Sequence, residues 1–105
     1  MALQRLMTAS ITLAAVAALA TAPVASAEPR DTFLDELATL NVHLPYANQP
    51  ETVGAGYQVC NDLRGGASVL DEMTAAEQRY QLPSGQGTLF VSAATTNLCP
   101  DFAAG

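Results

Sequence analysis

The first 27 residues decide how much of this 105-residue chain is left to fold. Met1–Arg5 carries one positive charge, and Leu6–Ala22 (LMTASITLAAVAALATA) is uncharged and rich in Ala and Leu. Pro23-Val24-Ala25-Ser26-Ala27 then ends in a small-x-small triplet before Glu28. This is the layout of a secretory signal, whose peptidase accepts only small side chains at the first and third positions before the cut. Cleavage is expected after Ala27, because the alternative triplet Ala20-Thr21-Ala22 leaves Pro23 directly after the cut. A retained anchor needs about 20 apolar residues. The run here is shorter, is diluted by Thr8, Ser10, Thr12 and Thr21, and breaks at Pro23. No Arg pair marks the twin-arginine route, and no cysteine stands at the cut to take a lipid. The expectation is therefore a signal peptide over 1–27 and a single domain over 28–105. A Sec-type signal would export that domain to the cell envelope or the extracellular space, with no stable membrane insertion.

Cleavage leaves 78 residues, with Cys60 and Cys99 the only cysteines. An even cysteine count in a small exported chain reads as a disulfide, and two cysteines allow one intramolecular pairing. The bridge would close a loop of about 40 residues, for which the chain-entropy relation gives about 4 kcal/mol. A core in a domain near this size supplies only about 3–5 kcal/mol, so the bridge ranks as a main source of stability. The alternatives fit less well. A redox pair favours Cys-x-x-Cys, whereas these cysteines are 39 positions apart. A zinc site wants about four ligands, and His43 with two cysteines falls one short.

Charge narrows the partners. Residues 28–105 hold Arg30, Arg64 and Arg79 against ten acids, a net charge of −7, and Lys is absent throughout. Phosphate neutralisation needs more cations than that, so nucleic acid is excluded, and an anionic membrane surface repels the chain.

The mature segment reads as four short helices. In Asp31–Leu40, Phe33, Leu34, Leu37 and Leu40 make one helical stripe. Thr32 and Asp35 form a candidate capping pair, and Asn41 suits the left-handed residue that closes a helix. Val42 and Leu44 are placed to fold back onto the stripe. Leu44–Gln49 is a connector, after which Pro50 suits a first turn and Val53, Tyr57, Cys60 and Leu63 make a second stripe up to Gly65-Gly66. Gly54 and Gly56 weaken this helix, by up to about 1 kcal/mol each, and suggest a close helical neighbour. Ser68 and Asp71 open a third helix through Val69, Leu70, Met73, Ala76 and Tyr80. A fourth starts near Pro83-Ser84, runs through Gly87, Phe90, Val91, Ala94 and Leu98, and stops at Pro100. No alternating β-branched run and no internal repeat occurs, so the fold class is all-α, a small bundle stapled by Cys60 and Cys99.

Several blocks carry a family resemblance. Phe33-Leu34-x-x-Leu37 leads into a Pro-containing connector. Gly56-x-x-Val59-Cys60-x-x-Leu63-x-x-Gly66 comes next, and then Phe90-Val91-x-Ala93 through Leu98-Cys99-Pro100. The chain resembles DUF732, a family of small exported proteins found chiefly in mycobacteria, with no established function. The resemblance spans essentially the whole mature segment and implies a helical domain with one disulfide, falling here on Cys60 and Cys99. It brings no catalytic residues. Asn41-Val42 stands where the family commonly has Gly-Ile, and Gly87 where it commonly has Ala; the second exchange trades helix propensity for space.

No catalytic constellation is visible. His43, the single imidazole, needs an orienting partner and a nucleophile within reach; Ser68, Ser84 and Ser92 lie outside any Gly-x-Ser-x-Gly elbow. His43 is read as a dispensable connector residue. The acids Glu28, Asp31, Asp35, Glu36, Asp71, Glu72 and Glu77 lack calcium-loop spacing and are read as solvated helix faces. Gly54-Ala55-Gly56 is preceded by no strand and is no dinucleotide loop. Catalytic, metal and cofactor residues are thus expected to be none. Tyr57 is read as core, and Tyr46, beside Pro45, as a candidate exposed contact. The expected function is non-enzymatic, through surface contacts with an unknown protein or envelope component, cationic or of mixed charge. The alternative is a small apolar-ligand carrier with a groove lined by Phe33, Leu37, Tyr57, Phe90 and Val91.

Overall fold

A computed structural model of the chain describes residues 28–103, all helix, turn and connector. The expected leader, 1–27, lies outside the described residues. Four helices run in order: α1 (Pro29–Leu40), α2 (Gln49–Arg64), α3 (Val69–Tyr80) and α4 (Gln86–Leu98). A short 3-10 turn, Pro100–Phe102, closes the described chain. Among these residues, no helix is long and apolar enough to cross a membrane.

The helix ends obey local chemistry. α1 begins earlier than the Thr32–Asp35 pair suggests, with Pro29 in its first turn and Glu28 as a cap residue making no side-chain bond. Proline's fixed φ already matches the helix and its missing N–H leaves no orphan donor. The Thr32 hydroxyl instead donates to the Pro29 carbonyl at 2.9 Å. α1 stops where Asn41 takes the left-handed conformation, φ 62°, and Val42 N–H returns to Leu37 O at 2.9 Å. That return drives Val42 and then Leu44 into the core.

α2 starts on a reciprocal cap: Asn48 Oδ1 accepts from Glu51 N–H at 2.8 Å, and Glu51 Oε1 accepts from Asn48 N–H at 3.0 Å. Its far end turns at Gly66, φ 106°. The Ser68 hydroxyl caps α3 by accepting from Asp71 N–H at 3.0 Å, as its spacing predicts. α3 closes on Gln81 in the left-handed region, φ 56°, and Leu82 folds back beneath it. α4 begins at Gln86 rather than near Pro83-Ser84, after Gly85 at φ 94°.

α4 is the hub, packing against each of the other three helices. It carries no charged residue, and Phe90, Val91, Ala93 and Ala94 are each at most 1% exposed. Phe90 meets Phe33 of α1 edge to face at 5.7 Å between ring centres and Tyr80 of α3 at the same separation. Such aromatic pairs favour edge-on or tilted geometry because a positive ring edge meets a negative face.

Two of the expected stripes shift. On α2 the buried residues are Thr52, Ala55, Gly56, Val59, Cys60 and Leu63, while Tyr57 is 43% exposed. On α3 the buried pair is Glu72 and Ala76, while Leu70 is 73% and Val69 37% exposed. Small residues, Ala55 and Gly56 on α2 and Ala76 on α3, are buried where a neighbour comes close, while Tyr57, Val69 and Leu70 turn outward. Gly56 is one such place: a Cβ there would meet Leu98 Cδ1 and Phe33 Cζ at 2.7 Å. Gly54 faces open space, so the close neighbour expected at both glycines exists only at Gly56.

Candidate functional site

Cys60 sits on the inner face of α2 and Cys99 caps α4. They form the disulfide, with Cα atoms 6.0 Å apart and exposures of 0% and 1%. No free cysteine is left among the described residues. A bridge sealed in the core is shielded from exchange, since a thiolate must reach a sulfur to attack it. Its role in this arrangement is mechanical. Among the described residues, no group of three or more His, Cys, Asp or Glu side chains is placed to hold a metal ion.

The connector between α1 and α2 holds the most exposed large hydrophobic side chain among the described residues, Tyr46, at 83%. The adjoining segment is firmly placed: Val42 and Leu44 are buried on one side, and Asn48 is committed to the α2 cap on the other. Tyr46 therefore projects from a fixed backbone, beside a small hollow that it shares with Leu44, Arg79 and Tyr80. His43 is exposed and lines a cleft of about 580 Å³ between α1, the connector and α2. Leu34, Leu37, Val42, Leu44 and Ala47 contribute its apolar wall. Its lining includes no serine, cysteine or carboxylate. The three serines among the described residues sit elsewhere: Ser68 on the α3 cap, Ser84 in the turn before α4, and Ser92 on the exposed side of α4. Phe33, Leu37, Phe90 and Val91, named for an apolar groove, are packed in the core, and Tyr57 lies outside it.

Three of the acids read as solvated are instead tied into the bundle. Glu36 of α1 accepts from Asn97 Nδ2 of α4 at 2.8 Å. Glu77 of α3 points its Oε2 at the start of α4, accepting from Gly85 N–H at 2.7 Å and Gly87 N–H at 2.9 Å. A carboxylate there meets unsatisfied amides and the positive end of the helix dipole. Gly87 permits this approach, because a Cβ would overlap the Met73 carbonyl oxygen and come within 2.8 Å of Glu77 Cγ.

The third is Glu72, only 6% exposed. Burial pushes its carboxyl above the ordinary carboxylate value, and the facing Asp62 of α2 pushes it further; Arg79 opposes the shift. Asp62 has polar partners of its own. It accepts from Gln58 Nε2 at 2.8 Å and stands 3.8 Å from Arg79 Nη1. Beside this cluster, α2 and α3 leave an open groove bordered by Glu51, Gln58, Asp62, Arg79 and Tyr80.

Sequence reasoning missed the Glu77 contact and the burial of Glu72 because both depend on neighbouring helices. The Asn48–Glu51 cap was readable, as an Asx residue with Glu three positions later. A family model described as "Protein of unknown function (DUF732)" matches residues 27–101. No curated protein and no solved structure matched the chain.

Proposed function

As this chain belongs to the DUF732 family, we propose that it is an exported, non-enzymatic helical domain that acts by presenting a surface to a protein or envelope component. The observation that carries this reading is Tyr46, 83% exposed on a connector anchored at both ends. An aromatic held outward on a rigid backbone offers contact area at little entropic cost, which is why tyrosine is enriched at interfaces. The net charge of −7 over residues 28–105 favours a cationic or mixed-charge partner and a salt-sensitive encounter.

The test is photo-crosslinking in the native envelope from a reactive residue placed at Tyr46, with mass spectrometry of the adducts. A saturable adduct from Tyr46, weakened by salt and missing from the exposed α3 position Gln78, is expected. Equal labelling from both positions, or none, overturns the reading.

A second reading, a carrier of a small apolar ligand, draws on the cleft beside His43, whose wall is formed by Leu34, Leu37, Val42, Leu44 and Ala47. It predicts a ligand-induced rise in melting temperature that Ala47→Trp abolishes without unfolding the chain.

A further inference from the structure

We propose that the groove between α2 and α3 receives an extended, positively charged segment of a partner protein, gripped at one end by Tyr46. This rests on the surface reading above and names where on that surface the partner lies. α2 and α3 pack on each other more loosely than either packs on α4, which leaves a groove of about 490 Å³ between them.

α2 supplies one wall through Glu51, Gly54, Ala55, Gln58 and Asp62. Residues three and four apart share a helix face, so these line one side of the helix over three turns. Along them α2 rises about 16 Å at about 1.5 Å per residue, which matches about five residues of extended chain. The middle of the groove is open, because a Cβ on Gly54 would meet nothing within 4 Å. Arg79 and Tyr80 of α3 form the opposite wall, and both also line the hollow at Leu44, Tyr46 and Ala47. The groove therefore continues past Arg79 and Tyr80 to Tyr46. An elongated trough ending on an aromatic side chain suits a chain segment better than a compact molecule.

Charge selects the segment. The groove sets Glu51 and Asp62 against Arg79. The guanidinium is already engaged, 3.8 Å from Asp62 and 5.9 Å from the centre of the Tyr80 ring. Glu51 commits only Oε1 to the α2 cap, and the Asp62 side chain keeps an exposure of 27%. Beyond the groove, residues 28–105 carry ten acids against three arginines, a field that draws cationic segments in and turns anionic ones away. Lys or Arg side chains of the segment pair with Glu51 and Asp62. An apolar side chain at its end enters the hollow between Tyr46 and Tyr80, the kind of contact in which tyrosine is enriched.

The experiment titrates the oxidised parent chain with a fluorescein-labelled peptide of alternating Lys and Ala ending in Leu, and with its Glu-for-Lys counterpart. Anisotropy reads the affinity and amide NMR shifts map the contact. The Lys peptide is expected to bind, the Glu peptide not, with shifts centred on Gly54, Asp62 and Tyr80. Gly54→Arg fills the open middle with a like charge and should weaken binding at least tenfold. Thr39→Arg adds the same charge at an exposed α1 position outside the groove and should change it less than threefold. Equal weakening by the two variants, shifts centred elsewhere, or no binding of the Lys peptide overturns the proposal. The parent shift map decides alone if Gly54→Arg does not fold. The Tyr46 crosslink, repeated in the envelope with Gly54→Arg, separates the groove from the reading it rests on. An undiminished Tyr46 adduct overturns the groove and keeps the surface reading. No adduct from the parent overturns that reading, while the peptide titration still decides the groove.

Discussion

The two ends of α4 are fixed by opposite means. At its C-terminal end Cys99 is bonded to Cys60 of α2, so the attachment is covalent and indifferent to pH and salt. At its N-terminal end the shortest tie is a carboxylate, Glu77, received by two backbone amides at 2.7 and 2.9 Å. Between them, α4 is uncharged and buries Gly87, Phe90, Val91, Ala93, Ala94 and Thr95. Its own Phe90 and Asn97 pack and bond to α1, and at its two ends neighbouring helices supply the tie. One supplies a sulfur, the other a negative charge, and each requires a residue on α4 suited to receive it.

The largest expected effect comes from breaking the covalent end. Cys60→Ser with Cys99→Ser, or reduction of the native chain, releases a loop of about 40 residues and is expected to remove about 4 kcal/mol. Equilibrium urea denaturation with and without reductant measures it; equal midpoints would show that the core alone holds the fold. Next comes the polar end at its tightest point. Gly87→Ala places a methyl group against the Met73 carbonyl and Glu77 Cγ, where backbone cannot yield as a side-chain tip does. A destabilisation of about 3 kcal/mol is expected, at the upper end of the overpacking range. Ala is the better helix former by about 1 kcal/mol, so a stabilised variant would mean that α3 and α4 are not in contact there. The smallest of the three is Glu77→Ala, which leaves both amides to water and is expected to lower stability by about 2 kcal/mol. Amide exchange at Gly85 and Gly87 should quicken while exchange near Cys99 does not; equal quickening at both ends would show that they do not act separately.

The same contrast separates the legible features from the illegible ones. The disulfide was legible because two cysteines have one intramolecular pairing, and a domain this small gains from the bond. Asn41 and Gly66 were legible as helix ends because both residue types tolerate positive φ. Gln81 carries no such signal. It is held left-handed at φ 56° by its neighbour, since Leu82 gains burial only if the chain reverses there. Periodicity placed Phe33, Leu37, Phe90, Val91 and Ala94 correctly in the core. It misplaced Tyr57, Val69 and Leu70, because a stripe two residues wide and one rotated by a single residue look alike until a neighbour selects between them. The acids were the least legible. A helix-face pattern does not distinguish Asp71, which stays in solvent, from its neighbour Glu72, which is buried.

Residue chemistry acting over a few positions was written in the chain itself: four helical segments, most of their caps, the single possible bridge and a surplus of negative charge. Those properties depend on side-chain type and on neighbours within one or two turns. The rotation of α2 and α3, the purpose of Gly87, the capture of Glu77 by α4 and the burial of Glu72 were settled only by tertiary packing. Each depends on the distance between residues on different helices, and that distance exists only once the apolar faces have excluded water and chosen their partners.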